Sequence, residues 1–501
     1  MRAADTPNTD ESVTEVPETE QVSHDIPLPD HLEEAFARDW EPAPPMPHPA
    51  RPDGAPYQAK RRAQLSERFP GKTLIVPAGN LRVRANDTDY HFRAASVFTW
   101  LTGETVADAV LVMTPSGAAH TSTLYVREYA GAGEVAYFTS RTHGALWVGN
   151  VPSLADTAAV LDVAVRPLEA LAGDLAAYRT SSDVLLLRGF DTSVDALFPS
   201  AASTDLLQTI DEQRLVKDEW EVGRLRYACE VTARGFADAV RDLPLVLDRP
   251  VRGERWLEGT FWRRARLEGN DVGYGSIVGA GAHGTTLHWW RNHGRIASGD
   301  LLLADMGVET DELYTADVTR TMPVTGAWTA DQRRVYLAVL EAQKAGIAEV
   351  RAGNDFLAAH RAAMYVLADH LHSWGILPVS ADVSCDPDTD KPGSGMHRRY
   401  TLHGTSHMLG IDVHDCAAAR EEAYRNGSLE AGHVLTVEPG LYFQPNDLSV
   451  PASLRGLAVR IEDDILVTGG DAINLSSSLP REPDEVIAWM KDVQHGVPAM
   501  G

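Results

Sequence analysis

The chain has no CxxC pair, no clustered run of basic residues and no long apolar segment, and each absence narrows what it can do. Its three cysteines, Cys229, Cys385 and Cys416, are far apart and odd in number. That argues against a disulfide framework and fits a reducing compartment. Lys and Arg number 45 against 71 Asp and Glu, for a formal charge of −26. Phosphate contacts need clustered cations, so the balance argues against nucleic acid and against anionic membranes as partners. No stretch approaches the ~18 apolar residues of a membrane helix. The opening MRAADTPNTDESVTEV has no apolar core of a secretory signal. A cytoplasmic protein is the expectation.

What is present is a globular composition: 501 residues, 44% hydrophobic, enough for two or three domains. Residues 1–55 are acidic and then Pro-rich, which predicts a disordered tail. The amphipathic interruption at 31–40 could dock on the domain or a partner, but composition favours a solvated tail. Residues 56–212 read as an α/β domain, with a helix over 57–69 and short apolar strands at 73–76, 109–113, 123–126, 135–138 and 184–187. Its polar and aromatic segment 82–103 reads as a surface loop from its turn residues. Residues 213–495 read as an α+β domain. Helices are predicted over 213–242 (ending before Pro244), 253–268, 329–351 and 355–374. Strands are predicted over 272–278, 301–303, 313–324, 434–443 and 457–468, and strands and helices are partly segregated.

Asp305 and Asp317 stand out because they sit in two consecutive strand-like runs. A buried acid needs a partner. No Lys lies between 301 and 324, and Arg320 has the opposite strand parity to Asp317. Three later stretches offer an answer. HGTSHMLGIDVHD carries His403 and His407 four apart, with glycines that disfavour a helix; Gly404 rules out the HExxH zinc motif. LTVEPGLY carries Glu438, and VRIEDDIL carries Glu462 beside Arg460. Each residue alone has an ordinary explanation: a hydrogen-bonded loop His, a Glu capping a turn, an acid paired with Arg460. Together, four acids on core-type strands repel by roughly 4 kcal/mol per pair at about 4 Å and an effective dielectric of 20. Such a cluster either takes up protons or collects cations. Two divalent ions, with His407 as the single nitrogen ligand, suit an oxygen-rich site for hard or borderline metals. Mn²⁺ is the expected ion, and two-metal chemistry is hydrolytic.

The ordered settings DMG, ADVTRT, HGTSH, VEPG and RIEDD resemble the pita-bread metallopeptidases, and within them the Xaa-Pro aminopeptidases, with prolidase next. The resemblance covers nearly everything after Pro56 and includes the segment 82–103, which matches text of that family's N-terminal domain. It implies an α/β N-terminal domain followed by an α+β pita-bread catalytic domain, and metal ligands Asp305, Asp317, His407, Glu438 and Glu462. It further implies Glu438 as general base, His288 and His414 lining the site and stabilising the tetrahedral intermediate, and His403, Tyr442 and Arg460 receiving the proline ring. The implied substrates are peptides with N-terminal Xaa-Pro, and the implied assembly is a homodimer or homotetramer. Prolidase activity on dipeptides, or a non-catalytic peptide-binding role, are the alternatives. Two features depart from the family pattern: the twelve-residue spacing of Asp305 and Asp317, and HWWRNHG after His288. The 382–397 loop looks long, and whether it lids the site is open.

Overall fold

The structure, a computed structural model, describes residues 28–41, 46, 53–201 and 203–496. The rest of the expected tail, including the Pro cluster, lies outside the described residues. Within that tail, Asp30–Phe36 is a helix rather than a solvated stretch. Phe36 meets the ring of Phe138 at 5.5 Å, and Trp40 meets Tyr137 at 5.8 Å. The partner segment Val135–Thr139 is itself helical, not the strand its apolar residues suggested. A short apolar run does not distinguish the two, and here it covers an aromatic contact instead of joining a ladder.

The first domain is built on a five-stranded mixed sheet. Its order is Ala164–Pro167, Ala119–Val126, Val110–Ser116, Thr73–Pro77, Val184–Leu186. Thr73–Pro77 is buried throughout and pairs antiparallel with Val110–Ser116 and parallel with Val184–Leu186. The segment 82–103 is a small hairpin followed by the helix Ser96–Thr102, which buries Phe98, Trp100 and Leu101.

In the second domain the predicted 213–242 helix is two. Thr204–Leu215 ends, and Asp218 then caps Glu219–Val246 with a reciprocal Glu221 capping box. That second helix runs past Pro244 to Val246; the Val240 carbonyl, which the proline leaves without an intrahelical donor, accepts from Gln494 Nε2 at 3.4 Å. It packs on Gly253–Glu268, where Phe236 and Phe261 meet edge to face at 6.1 Å. Ala330–Glu349 and Ala358–Ser373 form a second helical pair over the apolar backs of the strands.

The strands come in short, broken ladders. Leu301–Met306 lies between Ile277–Ala280 and Val318–Pro323, all antiparallel. Val434–Val437 pairs with Asp463–Leu466, and Gly440–Tyr442 with Ala458–Arg460. The single strands expected at 434–443 and 457–468 are thus each interrupted, one at Glu438–Pro439 and the other at Ile461–Glu462. Proline cannot donate to a ladder, and both breaks fall at a glutamate of the cluster. The strand expected over 313–324 begins only at Val318, because 310–313 is a turn in which Leu313 takes φ 70°.

Candidate metal centre and prolyl pocket

Antiparallel register sets Asp305 opposite Thr319, and Arg320 opposite Ala304. Asp305 and Thr319 therefore share one face, and Arg320 goes to the other. There Arg320 pairs with buried Asp463 at 2.7 Å and donates to the carbonyls of Leu479, Pro480 and Glu462. The cluster face is left without that cation. Loop 404–410 runs beside Val434–Val437: Thr436 N–H donates to His407 O, and Glu438 N–H to Thr405 O. This pairing carries His407 towards the acids.

One cleft of about 910 Å³ collects Asp305, Asp317, His407, Glu438, Glu462, His288, His414, His403 and Arg460. Ligand atoms of Asp317, His407 and Glu462 all lie within 4.8 Å of one another. His407 Nε2 is 3.3 Å from Asp317 Oδ2 and 3.5 Å from Glu438 Oε1, while its Nδ1–H donates to the Met408 carbonyl at 3.2 Å. A ring fixed by one nitrogen to a backbone carbonyl offers the other as a ligand.

The electrostatics are those of a cation site. Burial, and then the neighbouring acids, push Glu438 up to about 8. Burial and the Asp317 and Glu438 charges push Glu462 well above the carboxylate range. Burial also raises Asp305, with Arg460 opposing. Burial opposes charge on His407, but Asp317 and Glu438 outweigh it and lift the ring to about 9. Buried acids that hold protons for want of positive charge, facing one oriented imidazole, fit divalent ions.

Arg460, the partner that looked ready for Glu462, pairs instead with Asp305 at 2.5 Å. Glu462 accepts from Thr319 Oγ1 at 2.7 Å. Arg460 also donates to Tyr442 OH at 2.9 Å, and that hydroxyl is 2.8 Å from His403 Nε2. His403 Nδ1–H donates to Gly404 O at 2.7 Å, so Nε2 accepts the tyrosine proton. Burial, then Arg460, depresses His403 to about 3 and keeps it neutral. His414 meets His407 edge to face at 4.4 Å. His288 lines the cleft and is exposed; it is His283, not His288, that stacks on Trp289, at 4.0 Å. Tyr442 lies at the border of a second cleft, which the 382–397 loop lines; that loop does not line the main cleft.

Sequence reasoning missed several supports. Tyr274 OH donates to Asp305 Oδ1 at 2.6 Å, and Asp464 Oδ2 accepts from Asp317 N–H at 3.1 Å. Glu254, fully buried, accepts from Ala280 N–H, Gly294 N–H, His283 and Trp289. Asp415, beside His414, receives buried Lys217 at 2.9 Å and Arg214 at 2.5 Å. Only Asp415, in VHD, carried a local signal.

Residues 223–469 match metallopeptidase family M24, and residues 58–186 match the N-terminal domain of aminopeptidase P. Xaa-Pro aminopeptidase 1 of Streptomyces coelicolor is 49% identical over 439 residues, 86% of this chain and 86% of its own. The chain belongs to metallopeptidase family M24, among the Xaa-Pro aminopeptidases. The Xaa-Pro aminopeptidase of Escherichia coli is 31% identical over 444 residues, 87% of this chain and 97% of its own. Aminopeptidase P from E. coli with the inhibitor Pro-Leu matches with a TM-score of 0.77 at 29% identity, over 88% of this chain and 99% of that one. The expected order, an N-terminal α/β domain and then a pita-bread domain, is the order of these matches. As a family M24 metallopeptidase the chain is a metal-dependent hydrolase that uses divalent ions. No described helix is long and apolar enough to cross a membrane.

Proposed function

We propose that the protein releases the N-terminal residue from peptides with proline at the second position. The observation that carries the reading is the hydrogen-bonded string His403–Tyr442–Arg460–Asp305, which joins the residues expected to receive the proline ring directly to the acid cluster. In this reading Asp305, Asp317, His407, Glu438 and Glu462 hold two divalent ions, Mn²⁺ by preference for an oxygen-rich donor set. When bound, the ions supply an acidified water and positive charge for the carbonyl oxygen.

The chain's own residues do the rest. Water adds its oxygen to the carbonyl carbon of the first residue. Glu438, at the strand break, takes the proton that water gives up and delivers it to the prolyl nitrogen as the C–N bond breaks. His288 and His414 flank the carbonyl and donate to its oxygen as negative charge develops. His403, Tyr442 and Arg460 receive the ring. A bond to proline has no N–H and a fixed φ, so a pocket shaped for the ring makes that restriction a means of selection. The three free cysteines suit a cytoplasmic setting, and we extend the reading to a homodimer or homotetramer.

The test is hydrolysis of an Xaa-Pro-Xaa tripeptide and an Xaa-Pro dipeptide after chelation and then Mn²⁺. Metal-restored cleavage of the tripeptide is the expected result. Preference for the dipeptide would make the protein a prolidase, and cleavage of neither would overturn a peptidase role.

A further inference from the structure

A second cleft of about 750 Å³ is lined by Tyr442, whose hydroxyl bonds Arg460 and His403 of the main cleft, and it shares Leu287 with that cleft. Tyr442 and Gln444 both line this cleft, while Phe443 between them is buried in the core behind. Gln444 is tied to Thr285 by two hydrogen bonds, at 2.8 and 3.1 Å, and makes a fixed floor. A peptide held by its proline at Tyr442 needs about two more residues, ~7 Å at ~3.3 Å each, to come level with Gln444.

The far wall is the loop flagged in the sequence as long. It is pinned, not loose: Gly395 N–H donates to Ser384 O, His397 N–H to Ser384 Oγ, and Lys391 pairs with Asp386 at 2.8 Å. The charged residues lining the cleft are Arg398 and Arg399. Asp447 neutralises Arg399 through two bonds of 2.8 and 2.9 Å. Among the described residues no acid lies within ion-pair distance of the exposed Arg398. It is a cationic point facing a cleft on a protein of formal charge −26.

We propose that this cleft receives the residues that follow the proline, and that Arg398 selects a carboxylate among the first three of them. The proposal rests on the peptidase reading and names a part of the substrate that reading leaves open. The protein's overall charge favours cationic peptides at long range, so a preference for an acidic one has to come from a local group.

Binding distinguishes this from catalysis. Calorimetry of the chelated, uncleaving protein with the amidated peptides Pro-Ala-Glu-Ala and Pro-Ala-Lys-Ala is expected to show about tenfold tighter binding of the Glu peptide. Arg398→Glu should reverse the order, and Arg398→Lys should keep it. Arg398 is exposed, so neither change threatens the fold. Equal binding of the two peptides, or a preference that Arg398→Glu leaves unaltered, would overturn the proposal even if tripeptides are cleaved. The predicted order in a protein that cleaves nothing would uphold it while the peptidase reading fell.

Discussion

Arg460 sets Nη2 2.5 Å from Asp305 Oδ2 and Nη1 2.9 Å from Tyr442 OH. One buried guanidinium thereby serves both the acid cluster and the pocket beside it. Arg460→Met removes the cation and leaves Asp305 buried without it, a change that costs about 3–5 kcal/mol when a buried pair loses one member. Urea unfolding of the chelated protein should show that loss. Adding divalent ions should recover part of it, because they bring charge back to Asp305. An unchanged midpoint would mean that Asp305 sheds its charge at no cost.

Glu438 ends the Val434–Val437 strand beside Pro439 and faces His407 at 3.5 Å. Glu438→Gln keeps the shape and removes the proton acceptor. The expected outcome is a folded protein whose kcat on an Xaa-Pro-Xaa tripeptide falls roughly 10³-fold. Near-wild-type turnover, with circular dichroism unchanged, would end the assignment of that role.

His433 does not line the main cleft and reports on acid stability. It is 2% exposed, and burial, helped by Lys217, lowers it from 6.5 to about 4. Between those two values the unfolded chain binds a proton that the folded chain refuses. Its contribution is complete above about pH 6.5 and is lost as pH falls towards 4. His433→Gln should flatten this dependence. From pH 6.5 to 4 wild type should lose up to about 1.4 kcal/mol per pH unit more than the variant. Denaturant midpoints at several pH values check it; parallel curves would show that His433 titrates normally.

The cluster was legible because its chemistry is conspicuous: acids inside apolar strands have few explanations, and alternation puts Arg320 on the face away from Asp317 and Thr319. What joins the cluster was not. Arg460 reaches across 155 residues to Asp305, and Cys229 across 235 to Asp464; no local pattern encodes such a distance. Strand breaks at Glu438 and Glu462 were hidden for another reason. At Glu438 the mark was present, in Pro439, but the apolar run on both sides favoured one strand; at Glu462 the break comes from Glu462 N–H turning to Thr319 O across 143 residues. Segment 82–103 was undervalued because its polar residues serve the other domain: Arg93 bonds Glu309 at 2.7 Å, and Ser96 bonds Asp412 at 2.6 Å.

Glu254 provides the last test. Its carboxylate gathers four N–H groups from the segment that carries His288, with His283 at 2.7 Å and Trp289 at 2.9 Å. Each of those donors needs an acceptor, since a buried one left unpaired costs about 1–3 kcal/mol. Glu254→Gln turns one oxygen into an NH₂ that confronts two of them, so the loop must shift. If Glu254 acts by holding His288, kcat should fall roughly 10²-fold with KM little changed, as small misplacements do. In a His288→Ala background the same substitution should then lower kcat less than about threefold, because the residue it positions is already gone. Equal losses in both backgrounds would show that Glu254 supports the cleft through some other group.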